Sequence, residues 1–295
     1  MKIDVHCHFI PEQFIERDAA MPRSTYGVRI TDGAGRLLQH QSPRDVPGSD
    51  FDQVCRLERR ESDMDRLGID MQVLSVSPWL FAYHLEPTLG VAVCRVLNDA
   101  FAAAIAARPG RFVALAHVPL QAPEAAAAEL ERCVRDLGFR GAEICSHVDG
   151  RNLDDPALAP FYRKAQELDV PIFLHPQHVL GMDRLGSYHL GNLIGNPTDT
   201  AVAVASLIFG GVMREFPRLT FYLAHGGGTC PMLRGRWEHG WHMRPEARLK
   251  IQRPPSEYFG RFYFDSLTHS VQTLHDLVQA VGADRVMLGS DYPAD

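Results

Sequence analysis

The chain has no C-x-x-C pair. Its six cysteines (Cys7, Cys55, Cys94, Cys133, Cys145 and Cys230) are scattered, and nothing marks a disulfide framework. A chain of 295 residues can bury a core large enough to fold without such staples, so reduced thiols and a cytoplasmic setting are expected. There is no excess of positive charge. Lys and Arg number 30 against 36 Asp and Glu, a net charge of −6, with a pI near 6.1. That leaves no electrostatic case for nucleic acid or an anionic membrane, and an anionic substrate would have to be drawn by local arginines. No cationic segment followed by an apolar one opens the chain, so no signal peptide is expected. No apolar run approaches the roughly 20 residues of a bilayer span. No G-x-G-x-x-G dinucleotide fingerprint and no internal repeat occur.

What is present is ordinary in bulk: 45% apolar and 22% charged residues, as in a globular protein. The order is more telling. Apolar, β-branched runs at 3–6, 71–77, 112–117, 141–145, 172–175, 220–225, 262–265 and 285–289 alternate with helical patterns at 88–107, 123–137, 157–168, 198–215, 230–241 and 271–281. This alternation predicts eight parallel strands in βα units, a (β/α)8 TIM-type barrel. One domain over residues 1–295 is expected, with a Gly-, Pro-, Ser- and Asp-rich insertion at 23–52 read as a loop or small β element near the site. Residues 177–196, with four glycines and no clear period, read as a loop over the barrel mouth. Only four residues follow Asp291, leaving no room for an eighth helix, so the expectation is either a sequence cut short or a barrel incompletely covered.

Ends of the apolar runs carry the chemistry. His6 and His8 close the first, His175 the fifth, His225 the sixth and Asp291 the eighth. A parallel barrel gathers its strand C-termini on one face, so these residues would meet there. His6 and His8, spaced i, i+2, project to the same side of a strand while Cys7 points away. Imidazoles with a carboxylate suit a divalent metal such as zinc with one position open. His225 precedes Gly226-Gly227-Gly228, and could be a further ligand or a general base beside the ion. Unperturbed imidazole titrates near 6.5, which favours the base. Asp291 could both ligate and shuttle a proton. His178 lies three residues beyond a ligand candidate; the other histidines read as surface or packing residues. Arg36, Arg44, Arg234, Arg236 and Arg244 lie near segments that could reach the mouth, where an arginine fork would match a carboxylate, though any one of them alone reads first as a solvated surface residue.

His6-Cys7-His8-Phe9-Ile10-Pro11-Glu12, Leu174-His175-Pro176, Ala224-His225-Gly226-Gly227-Gly228 and Leu288-Gly289-Ser290-Asp291-Tyr292-Pro293 resemble the motif set of the amidohydrolase-superfamily decarboxylases. The 2-amino-3-carboxymuconate-6-semialdehyde decarboxylases are the branch most like it. Val118-Pro119-Leu120-Gln121, Asn152-Leu153-Asp154-Asp155 and Arg253-Pro254-Pro255-Ser256-Glu257-Tyr258 extend the similarity over nearly the whole chain, in order. The resemblance implies a zinc site of His6, His8, His175 and Asp291, with His225 as acid/base. It implies substrate contacts from Arg44, and from Arg236 and Arg244 donated across a homodimer interface. This chain departs from the family at Gln177-His178, at the stretch 191–197 and at Ala294-Asp295, all where substrate would lie.

The function expected is metal-dependent, non-oxidative decarboxylation of an unsaturated or aromatic carboxylic acid, a small molecule. A hydrolase or hydratase using the same metal on a lactone, amide or double bond is the alternative. A metal barrel that only binds, without catalysis, is a third reading, and an intact His225 beside a full ligand set argues against it.

Overall fold

The computed structural model describes residues 1–16, 27–41 and 51–294. The chain divides into two compact units, Met1–Glu143 with Leu288–Asp295, and Ile144–Met287.

In the first unit, strands β1 (Ile3–Phe9), β2 (Met71–Val76) and β3 (Phe112–Ala114, resumed at Ala116–His117) run parallel, in that order. Register pairs Cys7 with Leu74, His8 with Ser75 and Phe9 with Val76, after an irregularity between Asp4 and Cys7. Strand β4 (Ala142–Cys145) begins here, with His117 opposite Glu143. The segment after Met287 lies along β1: Val5 N–H donates to the Leu288 carbonyl at 2.9 Å, and His8 N–H to the Tyr292 carbonyl at 2.7 Å. The start and the end of the sequence thus share one set of backbone hydrogen bonds.

Helix Leu57–Leu67 has no counterpart among the expected elements, because seven of its eleven residues are charged and its few apolar residues mark no clear period. Its inward face is Leu57, Arg60, Asp63 and Met64, spaced as a helix requires, so polar side chains occupy positions where apolar ones were sought. Gly68 ends it in the left-handed region (φ 68°), which a residue without Cβ adopts freely.

Helix Pro87–Ala106 is long and apolar enough, by length and composition, to cross a bilayer, unlike anything expected from the apolar runs. Much of that character is alanine. Its Val93, Cys94, Leu97, Asn98 and Phe101 are buried in the unit. Asn98 brackets His117, accepting its N–H and donating to its carbonyl, both at 2.9 Å.

Part of the 23–52 region forms two strands, Gly27–Thr31 and Leu37–Gln41, which with Ile15–Glu16 make a three-stranded antiparallel sheet with Gly27–Thr31 at its centre.

In the second unit the strand order is β4, β5 (Ile172–His175), β6 (Phe221–Leu223), β7 (Tyr263–Asp265) and β8 (Val286–Met287), parallel where paired. Helices Ala159–Leu168, Asn196–Phe209, Cys230–Met243 and Val271–Val281 follow the expected positions within a few residues. Ser270 caps the last through its hydroxyl, which accepts Thr273 N–H. Phe173, Phe221, Phe262 and Phe264 are fully buried, each contributing about 1.5–3 kcal/mol of transfer free energy. Residues 177–196 are not wholly irregular: they hold the short helix Met182–Leu185 and a π-helical turn Gly191–Gly195.

Candidate metal centre and acid/base site

The first unit by itself assembles three of the sequence-predicted ligands. His6 Nε2 and His8 Nε2 lie 3.1 Å apart, and Asp291 Oδ1 is 3.1 Å from the first and 2.9 Å from the second. The three donors therefore form a nearly equilateral triangle, buried on all sides. Tetrahedral ligands about 2.0 Å from zinc stand about 3.3 Å from one another. The triangle is close to that spacing, so this donor set fits a divalent ion.

The ring of His8 is oriented for the task. Its Nδ1 faces the Val76 carbonyl at 3.1 Å and the Ser75 hydroxyl at 3.2 Å, with the Glu143 carboxyl at 3.8 Å. Acceptors on that side fix the proton on Nδ1 and leave the Nε2 lone pair for the cluster. Burial lowers the His8 pKa from its ordinary value, and this outweighs the hydrogen bond to Asp291 that would raise it. The neutral, ligating form is thus favoured.

Buried polar groups brace both ends of this cluster. Asp4 accepts His6 N–H at 3.3 Å, Ser290 N–H at 3.1 Å and the Ser290 hydroxyl at 2.6 Å. Arg60, fully buried, donates to the carbonyls of His8 and Val54 and to Gln72, and its guanidinium lies over the rings of Tyr292 (4.7 Å) and Phe9 (5.3 Å). Burial pulls the Arg60 pKa down to about 10, which still leaves it charged at neutral pH. Tyr292 donates to Asp63 at 2.9 Å.

Glu143 went unnoticed in the sequence. It is fully buried, and burial raises its carboxyl well above the ordinary value despite the opposing charge of His6. The available signal was one acidic residue inside the apolar run 141–145.

In the second unit His175 ends β5, buried, with Nδ1 2.9 Å from the Pro176 carbonyl. His225 follows β6 and is half-buried, its ring packed edge-on against His175 with centroids 4.9 Å apart. His225 adopts φ 56°, a conformation that costs a residue with a β-carbon about 1–3 kcal/mol unless its surroundings hold it. Asp265, at the end of β7, accepts the backbone N–H of His225 at 2.9 Å and of Gly226 at 2.6 Å. Asp265 too was missed, as the acidic last residue of an otherwise aromatic run.

Four of the five candidate arginines lie among the described residues. Arg236, on the helix Cys230–Met243, and Arg244, just after it, are exposed. Arg234 is structural: it donates to the Ala280 carbonyl and lies over Phe259. Arg36 is exposed and paired with Asp32. Arg44 lies outside the described residues. His178 is exposed, and its carbonyl lies 3.1 Å from His147 Nε2.

Eight strands in βα order, a ligand triangle at the ends of β1 and the last strand, and histidines after β5 and β6 define a metal-binding (β/α)8 protein. The chain belongs to the amidohydrolase family, whose model matches residues 3–295. It is 35% identical over 99% of its length to the 2-amino-3-carboxymuconate-6-semialdehyde decarboxylase of Dictyostelium discoideum, covering 82% of that protein. Among solved structures it is similar to a dihydroxybenzoic acid decarboxylase from Polaromonas sp. that holds manganese and the inhibitor 2-nitroresorcinol. The TM-score is 0.80 at 29% identity, over 100% of this chain and 87% of that one. A 2-keto-4-carboxy-3-hexenedioate hydratase of Sphingobium sp. is 28% identical over 76% of this chain and 65% of its own length.

Proposed function

We propose that the chain is a carboxy-lyase that removes carbon dioxide, without oxidation, from a small unsaturated or aromatic carboxylic acid at a divalent metal. The observation that carries this reading is the buried triangle of His6, His8 and Asp291 in a chain whose relatives include decarboxylases of both substrate kinds. The ligand set is His6, His8, His175 and Asp291. Zinc is our choice of ion from a donor set of three imidazoles and one carboxylate, with manganese the comparison to make.

In the reaction the bond between the substrate carbon and its carboxylate breaks. Carbon dioxide leaves, and the electron pair stays on carbon, which then takes a proton. A divalent ion at the site supplies Lewis acidity for the charge that develops. His225 delivers or accepts the proton, and Asp291 serves as the second proton carrier beside it. Arg44, Arg236 and Arg244 hold the remaining anionic groups of the substrate. The exposure of Arg236 and Arg244 suits donation to a second copy of the chain, so the active form is a homodimer. Residues 1–295 form one barrel domain with its insertion at 23–52, working in the cytoplasm, where buried thiols such as Cys7 and Cys94, both raised by burial, stay reduced.

Protein reconstituted with zinc or with manganese, and given carboxylated muconates and hydroxybenzoates, should release carbon dioxide without NAD, flavin, pyridoxal phosphate or oxygen. Hydration or hydrolysis with no carbon dioxide would replace this reading with the hydratase or hydrolase one, which the Sphingobium relative represents.

A further inference from the structure

We infer that Asp265 is a positioning residue for His225: its carboxylate gathers the backbone N–H groups that hold the imidazole in a left-handed turn. This rests on the acid/base reading of His225. Asp265 is fully buried. Its Oδ2 accepts His225 N–H at 2.9 Å, and its Oδ1 accepts Gly226 N–H at 2.6 Å and Leu267 N–H at 3.1 Å. A carboxylate only accepts, and three converging N–H donors suit that.

The turn requires its glycines. His225, Gly226, Gly227 and Gly228 have consecutive φ of 56°, 61°, 77° and 58°. A β-carbon at Gly228 would stand 2.3 Å from the Pro197 carbonyl oxygen, at Gly227 2.7 Å from the Phe264 ring, and at Gly226 2.8 Å from the Thr268 methyl. Neighbours pack closely against three residues in succession, so none of them accepts a side chain without a shift of its surroundings. His225 itself has a β-carbon and bears the conformational cost, and the Asp265 bond to its N–H opposes relaxation toward negative φ. Rotation of that backbone would swing the imidazole away from its edge-on contact with His175.

Asparagine separates the two possible roles, since it keeps the shape of aspartate but turns one acceptor into a donor. If Asp265→Asn places its oxygen toward Gly226 and Leu267, its NH2 faces His225 N–H and the anchor is lost. We expect the variant to keep its metal, hold KM within about twofold and lose about 10–100-fold in kcat, the usual effect of a displaced catalytic group. The limb of the pH–kcat profile that vanishes in His225→Ala should shift. The double variant should be no slower than His225→Ala alone. A further pair covers a failure to fold. His225→Gly, which tolerates φ 56°, is supplied with free imidazole, and adding Asp265→Asn to it should change the rescued rate little. The inference is overturned if Asp265→Asn has wild-type kcat and pH profile, or if it slows the imidazole-rescued enzyme as much as the wild type. Full activity in His225→Ala would instead defeat the acid/base reading, and this inference with it.

Discussion

Asp4 and Ser290 are joined twice across 286 positions of sequence, by the serine hydroxyl at 2.6 Å and its N–H at 3.1 Å. Asp4 also accepts the N–H of His6. One buried carboxylate therefore fixes the backbone of a candidate ligand and of the residue before another. Asp4→Asn should weaken metal binding about 10–100-fold, as loss of a group that orients ligands does elsewhere. Chelator competition with zinc and manganese measures it. Unchanged affinity would mean the ligand triangle does not depend on this brace.

Ligand and acid/base variants should separate cleanly. His175→Ala should purify with little metal. His225→Ala should keep its metal and lose about 10²–10⁴ in kcat. Asp291→Ala should damage both. Metal analysis beside steady-state kinetics reads all three. Metal loss in His225→Ala would make that residue a ligand.

Arg236→Ala and His225→Ala chains, each impaired alone, should recover activity when mixed, because one subunit's arginine would complete a site that keeps its histidine. The net charge of −6 gives the motive: an anionic substrate needs concentrated local positive charge. Mixed dimers verified by mass spectrometry and showing no recovery would count against sharing.

Acid stability should depend on Glu129. Burial would raise its carboxyl. Bonds from Arg132 at 2.7 and 2.9 Å and from Asn98 at 2.8 Å outweigh that and hold it below the ordinary value. A carboxylate depressed on folding stabilises at pH above its unfolded pKa, about 4.3, and loses that contribution as pH falls through its lower folded value. Glu129→Gln should cost about 1–3 kcal/mol at pH 7, for the imperfectly paired Asn98 and Arg132. The gap from wild type should narrow below about pH 4. Urea denaturation from pH 3 to 7 tests this, and a gap independent of pH would refute it.

Eight strands were legible because β-branched apolar runs alternate with helical periods, and seven of the eight runs carry no more than one Asp, Glu, Lys, Arg or His. The candidate ligands stood out in the sequence because each ends or closely follows such a run. Helix Leu57–Leu67 was not, since Arg60 and Asp63 face inward and invert the pattern of polar outside and apolar inside. Asp4, Glu143 and Asp265 were illegible for a related reason. A lone carboxylate in a strand looks like an ordinary solvent-facing residue until its hydrogen bonds are seen. The arginines were the weakest reading, because charge and rough position say nothing about which subunit a long side chain serves.

His6 and His8 leave the ribosome with the first strand, while Ser290 and Asp291 follow about as far behind as the 286-residue link between Asp4 and Ser290. While the residues between them are made, the nascent chain carries two histidines without the carboxylate or the serine braced against them in the fold. Whatever ion such an unfinished pair attracts is chosen by intrinsic affinity, which rises toward copper rather than toward zinc or manganese. Selection of the working metal therefore waits for the segment around Asp291, which hydrogen-bonds alongside the first strand.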